Sequence, residues 1–311
     1  MAGIARNSHV LLFGGYNEST QAKYLKSVTN FAYWCEVHGV IPSSIGHLDS
    51  LLAMYMVDLW YEGKGKAEAS CTLYGLDMLV PGIKTKVPMA IRSIRGFNRL
   101  RPSTPHPPMP WTVATAIASW LAVNHRKQGF AMAIGVVLSF DCYLRTGELL
   151  GLLYEDIAVG RDSRLGLDDE ERVHIHLRTT KTGAHKGVEV KDPQVKALLL
   201  ILKKRSKRGQ RIFPWHRSTH LKWFHRACEA LQLSSDYVHH SLRHGGATRD
   251  YLNGMRIDDV MVRGRWAANK SAVHYIQQGR QLMMRHRLVD KLGRFASASL
   301  VSTILSLSQY T

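Results

Sequence analysis

The chain has 311 residues, of which 45% are hydrophobic, and its 42 lysines and arginines against 24 acidic residues give a formal net charge of +18. This length and apolar fraction can fill the cores of two domains. The four cysteines are far apart and form no CxxC pair, so neither a disulfide framework nor a structural zinc site is expected. The longest apolar run, ALLLIL at 197–202, is too short to span a bilayer.

The positive charge favours a polyanionic partner, because each lysine or arginine that meets a phosphate releases a condensed counterion. Ribosomal and membrane-surface proteins can show the same balance. Charge therefore favours nucleic acid as the partner and says nothing about chemistry. The apolar stretch near the N-terminus is too short for a signal peptide, which predicts a soluble intracellular protein.

Hydrophobic periodicity predicts four helices in the first third of the chain, at 19–40, 48–63, 67–80 and 88–101. Ser19 or Thr20 is expected to cap the first of them. The fourth carries arginines on or near one face: Arg92, Arg95, Arg99 and Arg101. A solvated surface would explain such a face, but with this net charge we favour contact with DNA.

Five prolines in RPSTPHPPMP predict a stiff, non-helical linker at 101–110. The predicted organisation is a helical domain over 1–100, this linker, a second domain over 111–295 and a tail over 296–311.

Beyond the linker the pattern predicts helices at 112–126, 129–142, 193–204 and 218–231. Between them, apolar and polar residues alternate in RVHIHLRTT (172–180), as in a half-buried strand. KTGAHKG (181–187) is predicted to form a turn, and VEV (188–190) a short return strand. The predicted fold class is mainly α with a small antiparallel β-sheet (α+β). His174 and His176 share one strand face, but no third ligand has suitable spacing, so we expect no metal.

Two segments carry groups suited to phosphate. In LRTGELLGL (144–152), Arg145 is predicted at a helix start, where its planar fork and the free helix amides can bind an anion. Glu148, one turn on, would orient Arg145 or cap the helix. In YVHHSLRHGGATRD (237–250), His240 and Arg243 are three residues apart and share a helix face. A surface arginine and a polar helix face are the simpler alternatives.

A third segment, GRWAANKSAVHYI (264–276), contains Trp266 and Tyr275, each of which alone is typical of a core or an interface. Taken in order, Arg…His-x-x-Arg…Trp…Tyr resembles the tyrosine recombinases, the lambda-integrase family. Trp266 stands nine residues before Tyr275, where a histidine is commoner; this variant is shared with the Cre branch. The resemblance covers about 106–295, whereas residues 1–100 are similar only as a small helical domain that clasps DNA.

The resemblance implies a site-specific DNA recombinase, a tyrosine-type strand transferase that needs no metal or other cofactor. Tyr275 would attack the scissile phosphorus and form a 3′-phosphotyrosyl bond, with His240 as general base. Arg145 and Arg243 would clamp the phosphate oxygens, and Trp266 would donate to one of them or shape the pocket.

The family also uses a lysine in a β-turn as the general acid for the departing 5′-oxygen. Lys181 matches that position, and Lys186 is a competitor. Glu148 would support the site. Flanking His239 and His244 have no implied chemistry, and backbone or DNA contacts are expected for them.

The implied partners are double-stranded DNA and three further copies of the chain, in a dimer of dimers that works through a four-way junction. The tail 296–311 would dock into a neighbouring subunit through an apolar face. A basic segment, KKRSKRGQR (203–211), is expected to contact the DNA backbone, although a nuclear-localisation signal or a solvated loop would have the same basic composition. Its basic residues include Lys203, Lys204, Arg205, Lys207 and Arg208.

The expected location is with DNA, in the cytoplasm or nucleoid of a prokaryote or in a nucleus, and a mobile element is a suitable source. Type IB topoisomerases and telomere resolvases share this chemistry and are the alternatives within the enzyme class. A catalytically inactive DNA-binding regulator is the alternative outside it. An inactive relative would have lost an arginine or the tyrosine, and this sequence has lost none.

Overall fold

The computed structural model describes residues 13–102, 106–125, 128–160, 172–180, 183–268, 272–273 and 275–276, without the side chains of 179 and 184. The chain divides into two compact units, Met1–Thr104 and Pro105–Thr311. Within the described ranges no helix is long and apolar enough to cross a membrane.

In the described part of the first unit, four long helices form a bundle, as the periodicity predicts: α1 Glu18–Val37, α2 Ile45–Tyr61, α3 Lys66–Leu79 and α4 Pro88–Leu100. Their apolar stripes meet in one core built around Phe31, Leu52 and Met56. The predicted cap of α1 is wrong, because the side chain of Asn17 accepts the amide of Thr20 at 2.9 Å. Asparagine in extended geometry is as good a cap as serine, and it lies one residue before the helix.

The second unit is also mainly helical: α5 Trp111–Asn124, α6 Gly129–Asp141, α7 Thr146–Leu150, α8 Pro193–Arg205, α9 Arg217–Ala230, α10 His239–Leu252 and α11 Ile257–Gly264. Helix α6 is buried along its whole length. Its side chains form the centre of a large core with α5, α8 and the sheet. These elements confirm the predicted mainly α class with a small antiparallel sheet.

The sheet has three strands in the order β1-β2-β3: β1 Ile157–Val159, β2 Val173–Thr180 and β3 Gly183–Glu189. Ile175 of β2 lies opposite both Ile157 and Val188, so the predicted alternation of β2 points into the core. Two details differ from the prediction. Strand β1 is too short to give a periodic signal, and β3 begins inside the segment predicted as a turn.

Helix α10 packs unusually close to its neighbours through two adjacent glycines. A Cβ atom on Gly245 would lie 1.9 Å from the carbonyl oxygen of Met109, and one on Gly246 would lie 2.0 Å from that of Phe140. Real side chains cannot approach a backbone atom so closely. The glycines of YVHHSLRHGGATRD therefore let α10 press against α6, which carries His240 and Arg243 to the residues that follow α6.

Candidate functional site

The first part of the site lies at the start of α7. Arg145 is the N-terminal cap residue of this helix, and its Nη1 donates to Oε1 of Glu148 at 2.5 Å. The other carboxylate oxygen of Glu148 accepts the backbone amide of Arg145 at 3.0 Å. Glu148 thus both caps the helix and orients the arginine, the two alternatives that the sequence left open. The Arg145 side chain keeps 22% of its surface exposed, so it can still reach a ligand.

The second part comes from the first turns of α10. His240 and Arg243 lie on one face of this helix, as their spacing predicts. The Arg243 side chain is fully buried, and its two terminal nitrogens donate to the carbonyl oxygens of Tyr143 and Gly264. Its Nε is buried without a hydrogen-bond partner among the described residues.

Tyr275 lies directly against this face of α10. The Tyr275 hydroxyl is 3.0 Å from Nε2 of His240, and the Tyr275 ring centre is 5.4 Å from the guanidinium carbon of Arg243. The backbone carbonyl of Tyr275 also accepts the Thr248 hydroxyl at 3.1 Å. The hydroxyl of residue 275 is therefore held by a possible proton acceptor, next to a buried positive charge.

Trp266 packs against both Arg243 and Tyr275. Its ring centre is 4.6 Å from the guanidinium carbon of Arg243 and 4.7 Å from the centre of the Tyr275 ring. Only 7% of Trp266 is exposed, and its indole N–H has no hydrogen-bond partner among the described residues. A buried donor without a partner costs about 1–3 kcal/mol, which a bound acceptor would recover.

Three guanidiniums surround the single carboxylate of Glu148. Besides Arg145, Nη2 of Arg265 lies 3.0 Å and Nη1 of Arg243 lies 4.0 Å from Glu148. Burial acts to raise the pKa of Glu148, but Arg265 and Arg145 outweigh burial and hold that pKa below its ordinary value. Burial, together with the charges of Arg145 and Arg265, lowers the pKa of Arg243. Because positive charge exceeds negative charge here, the cluster is suited to an anion.

His240 is held in its neutral form and can accept a hydrogen bond at neutral pH. Burial, followed by electrostatic repulsion from Arg243 and other nearby groups, lowers the pKa of His240 to about 4. The imidazole is therefore neutral near pH 7, and one of its nitrogens is a free acceptor. With Nε2 unprotonated, the Tyr275 hydroxyl donates to it.

His239 and His244, for which backbone or DNA contacts were expected, are both buried in the protein. His239 lies 3.1 Å from the Thr146 hydroxyl, which ties α10 to α7. His244 stacks on the Tyr275 ring with centres 4.4 Å apart and so helps to hold that ring in place. The one available signal was the helical spacing of His240 and His244, four residues apart.

Arg265 also belongs to the site. It lies between Gly264 and Trp266, and no sequence pattern distinguishes it from an ordinary surface arginine. In the structure it is buried and bound to Glu148.

Of the two lysine candidates, Lys181 lies outside the described residues, which end at Thr180 and resume at Gly183. Lys186 is exposed on β3, opposite Leu177 of β2. On the outer face of the same hairpin, Nε2 of His176 lies 3.3 Å from Nδ1 of His185. No group of three metal-ligating side chains occurs in the described part of the chain.

The candidate DNA contacts of the first unit are the arginines of α4 and the residue that follows it. Arg92, Arg95 and Arg99 are exposed on α4. Arg101 instead turns back onto its own unit, where it donates to the carbonyl oxygens of Trp60 and Lys64.

In the second unit Lys203 donates to the carbonyl oxygen of Ile157, and the Arg205 guanidinium lies 4.9 Å from the Phe130 ring centre. Lys204, Lys207 and Arg208 are exposed. Arg205 is exposed as well, and so is Arg211 at the end of the segment.

The chain is similar in sequence to one protein family and in fold to several solved structures. Residues 118–281 match the phage integrase family. Among solved structures, the Tn1549 transposon integrase bound to transposon right end DNA is 14% identical, with a TM-score of 0.59 over 89% of this chain and 96% of that one. A lambda integrase dimer bound to a core site is 16% identical, with a TM-score of 0.58 over 86% of this chain and 92% of that one. These structures share the fold; no curated protein matches the sequence.

Proposed function

Because the chain belongs to the phage integrase family of tyrosine recombinases, we propose that it cuts and rejoins DNA at specific sites through a covalent bond between Tyr275 and a 3′-phosphate. The family is one of DNA strand transferases. The exchange needs no external energy, because the bond to the tyrosine conserves the energy of the phosphodiester that was cut. A 5′-hydroxyl from another duplex then reverses the step and joins new strands through a four-way junction.

The contact that carries this proposal is the 3.0 Å distance between the Tyr275 hydroxyl and Nε2 of His240. A neutral imidazole at that distance accepts the phenol proton as the oxygen attacks phosphorus. Negative charge then builds on the non-bridging oxygens of the phosphorane. Arg145 and Arg243 stabilise that charge, and the unpartnered indole N–H of Trp266 supplies a further donor.

Phosphate binding at Arg243 requires the Tyr275 ring to move. Arg243 is fully buried, and the rings of Tyr275 and Trp266 lie on it. We propose that the phosphate enters as the Tyr275 ring tilts off the guanidinium while its hydroxyl stays within hydrogen-bonding distance of His240. Arg145, with part of its surface exposed, would meet the phosphate first.

The remaining roles continue the expectations from sequence. Lys181 protonates the leaving 5′-oxygen, with Lys186 as the alternative, and Glu148 holds Arg145. Arg92, Arg95 and Arg99, with Lys204, Lys207 and Arg208, contact the DNA backbone. Arg205 is exposed and keeps the role expected for it, whereas the contact of Lys203 with the Ile157 carbonyl favours a structural role. Four copies assemble on paired sites through the tail 296–311, which lies outside the described residues.

The test is capture of the covalent intermediate on DNA whose sequence is not chosen in advance. The purified protein is incubated with a pool of randomised duplexes that carry a nick, so that the short cut strand diffuses away and the covalent product accumulates. Covalent complexes are recovered under denaturing conditions and the attached DNA is sequenced. One recovered consensus, attached through its 3′-phosphate to Tyr275, is the expected result.

Tyr275→Phe is the matched control, since it removes only the hydroxyl. It should bind the recovered sequence within about twofold of wild type and form no covalent product. Covalent product from this variant would remove Tyr275 as the nucleophile. Rejoining of two such sites into recombinant DNA supports a recombinase, whereas relaxation of supercoiled plasmid alone would indicate a topoisomerase, and hairpin ends a telomere resolvase. Binding without any covalent product from wild type would indicate an inactive regulator.

A further inference from the structure

Arg265, which has no role in the proposed chemistry, lies at the centre of the hydrogen-bond network beneath the site. Its Nη2 donates to Oε2 of Glu148 at 3.0 Å and to the carbonyl oxygen of Tyr143 at 2.9 Å. Its Nη1 donates to the carbonyl oxygens of Cys142 at 3.2 Å and Arg263 at 3.0 Å. The four N–H groups of the two terminal nitrogens thus have four protein acceptors. Arg265 is bound within the protein and is not placed as a ligand for phosphate.

Each of the two groups that accept a hydrogen bond from Nη2 of Arg265 also binds a proposed catalytic arginine. Glu148 holds Arg145 through its other carboxylate oxygen, at 2.5 Å. The Tyr143 carbonyl also accepts a hydrogen bond from Arg243. Arg265 is therefore linked to Arg145 through Glu148 and to Arg243 through the Tyr143 carbonyl.

The backbone at this point is strained. Arg265 has φ 57° and ψ 40°, and Tyr143 has φ 49°, both in the left-handed region that favours glycine. A side chain there costs about 1–3 kcal/mol, and such strain is maintained only where surrounding contacts over-determine it. Here the two strained residues are joined by the hydrogen bond from Arg265 to the Tyr143 carbonyl. This conformation directs the Arg265 side chain into the network.

We propose that Arg265 is a positioning residue, which fixes Glu148 and the Tyr143 carbonyl and thereby sets the guanidiniums of Arg145 and Arg243 before DNA binds. Without Arg265, one oxygen of Glu148 loses its charged partner, and Arg243, whose Nη1 is 4.0 Å away, is the nearest replacement. Arg243 would then be drawn toward Glu148 and away from the phosphate. This inference rests on the proposed function.

The experiment uses the full chain and a nicked duplex of the sequence recovered by covalent capture. Arg265→Asn is the main variant, because asparagine tolerates the left-handed backbone but cannot reach the network. Arg265→Lys is the second variant: it keeps the charge and much of the volume but offers a single nitrogen. Arg256→Ala removes an exposed arginine that pairs with Asp259 and is the matched control.

Single-turnover cleavage should fall about 10²-fold in Arg265→Asn and in Arg265→Lys, the loss that a misplacement of about 1 Å produces, while the dissociation constant for DNA stays within about threefold. Arg256→Ala should cleave as wild type does. Equal losses in binding and cleavage would overturn the proposal, because Arg265 would then be a DNA contact. So would failure of both variants to fold, since Arg265 would then serve stability.

A double-mutant cycle with Glu148→Gln separates positioning from direct catalysis. Because Glu148 is one of the two groups through which Arg265 acts, the double variant should cleave faster than the product of the two single losses predicts. Multiplied losses would mean that the two residues act independently and would overturn the proposal. If wild type cleaves and the variants cleave equally fast, this inference alone fails; if wild type forms no covalent product, the proposed function fails.

Discussion

At the scale of single residues, the site is built by burying charge where the backbone can satisfy it. Arg243 tolerates complete burial because the Tyr143 and Gly264 carbonyls accept its terminal N–H groups. A fixed guanidinium loses no freedom when a phosphate arrives, which is the condition for strong electrostatic stabilisation. The same low-dielectric surroundings lower the pKa of His240 to about 4 and keep it neutral. One buried cluster thus provides both a fixed charge and a base.

The proposed general acid gives a prediction at this scale. Lys181→Ala should reduce cleavage strongly, because an unprotonated 5′-oxygen is a poor leaving group. DNA in which that oxygen is replaced by sulfur should restore the rate, since sulfur leaves without a proton. The measurement is single-turnover cleavage of both DNAs.

Lys186→Ala is the matched variant, since it removes the other lysine of the same hairpin. It should cleave the oxygen substrate at close to the wild-type rate. Rescue by sulfur in Lys186→Ala instead of Lys181→Ala would transfer the role to Lys186.

At the scale of elements, the contact between α10 and α6 brings together residues that are about 100 positions apart in the chain. Helix α10 carries His240 and Arg243, and the turn after α6 carries Tyr143 and Arg145. The hydrogen bond from Arg243 to the Tyr143 carbonyl exists because Gly246 lets the two helices approach. Packing of this pair of helices therefore sets the geometry of the site.

Gly246→Ala should destabilise the second unit by about 3 kcal/mol, because the new methyl group would lie 2.0 Å from the Phe140 carbonyl oxygen. The free energy of unfolding in urea measures the loss. Gly147→Ala is the control: a Cβ atom at Gly147 would have no heavy atom within 4 Å. That variant should be neutral or gain up to about 1 kcal/mol from helix propensity. Equal stability of the two variants would contradict the close-packing argument.

At the scale of the whole molecule, buried histidines make folding sensitive to acid. Burial lowers the pKa of His220 to about 4, lowers that of His240 to about 4 with help from nearby positive charges, and lowers that of His239 well below its ordinary value. In the unfolded chain these groups titrate near pH 6.5. Between about pH 6.5 and 4 the unfolded state therefore binds protons that the folded state does not, and stability falls as the pH falls.

His220→Gln should flatten this dependence, since it removes one of the buried imidazoles. A shift from about 6.5 to about 4 corresponds to about 3 kcal/mol, which is the loss expected from His220 alone across that window. Unfolding in urea at pH 7, 6, 5 and 4 measures the slope. His225→Gln removes an exposed imidazole and should leave the slope as it is in wild type. An unchanged slope in His220→Gln would rule out this origin of acid sensitivity.

Sequence patterns are enough to establish the mainly helical class, the hairpin and the family, because periodicity and the order of chemically distinctive residues can be read along the chain. They single out Arg145, His240, Arg243 and Tyr275 for the same reason. Only the tertiary structure placed Arg265 on Glu148, 117 residues away, and His244 on the Tyr275 ring. Such contacts depend on how closely distant elements pack in the folded protein. The spacing of residues along the chain does not determine that packing.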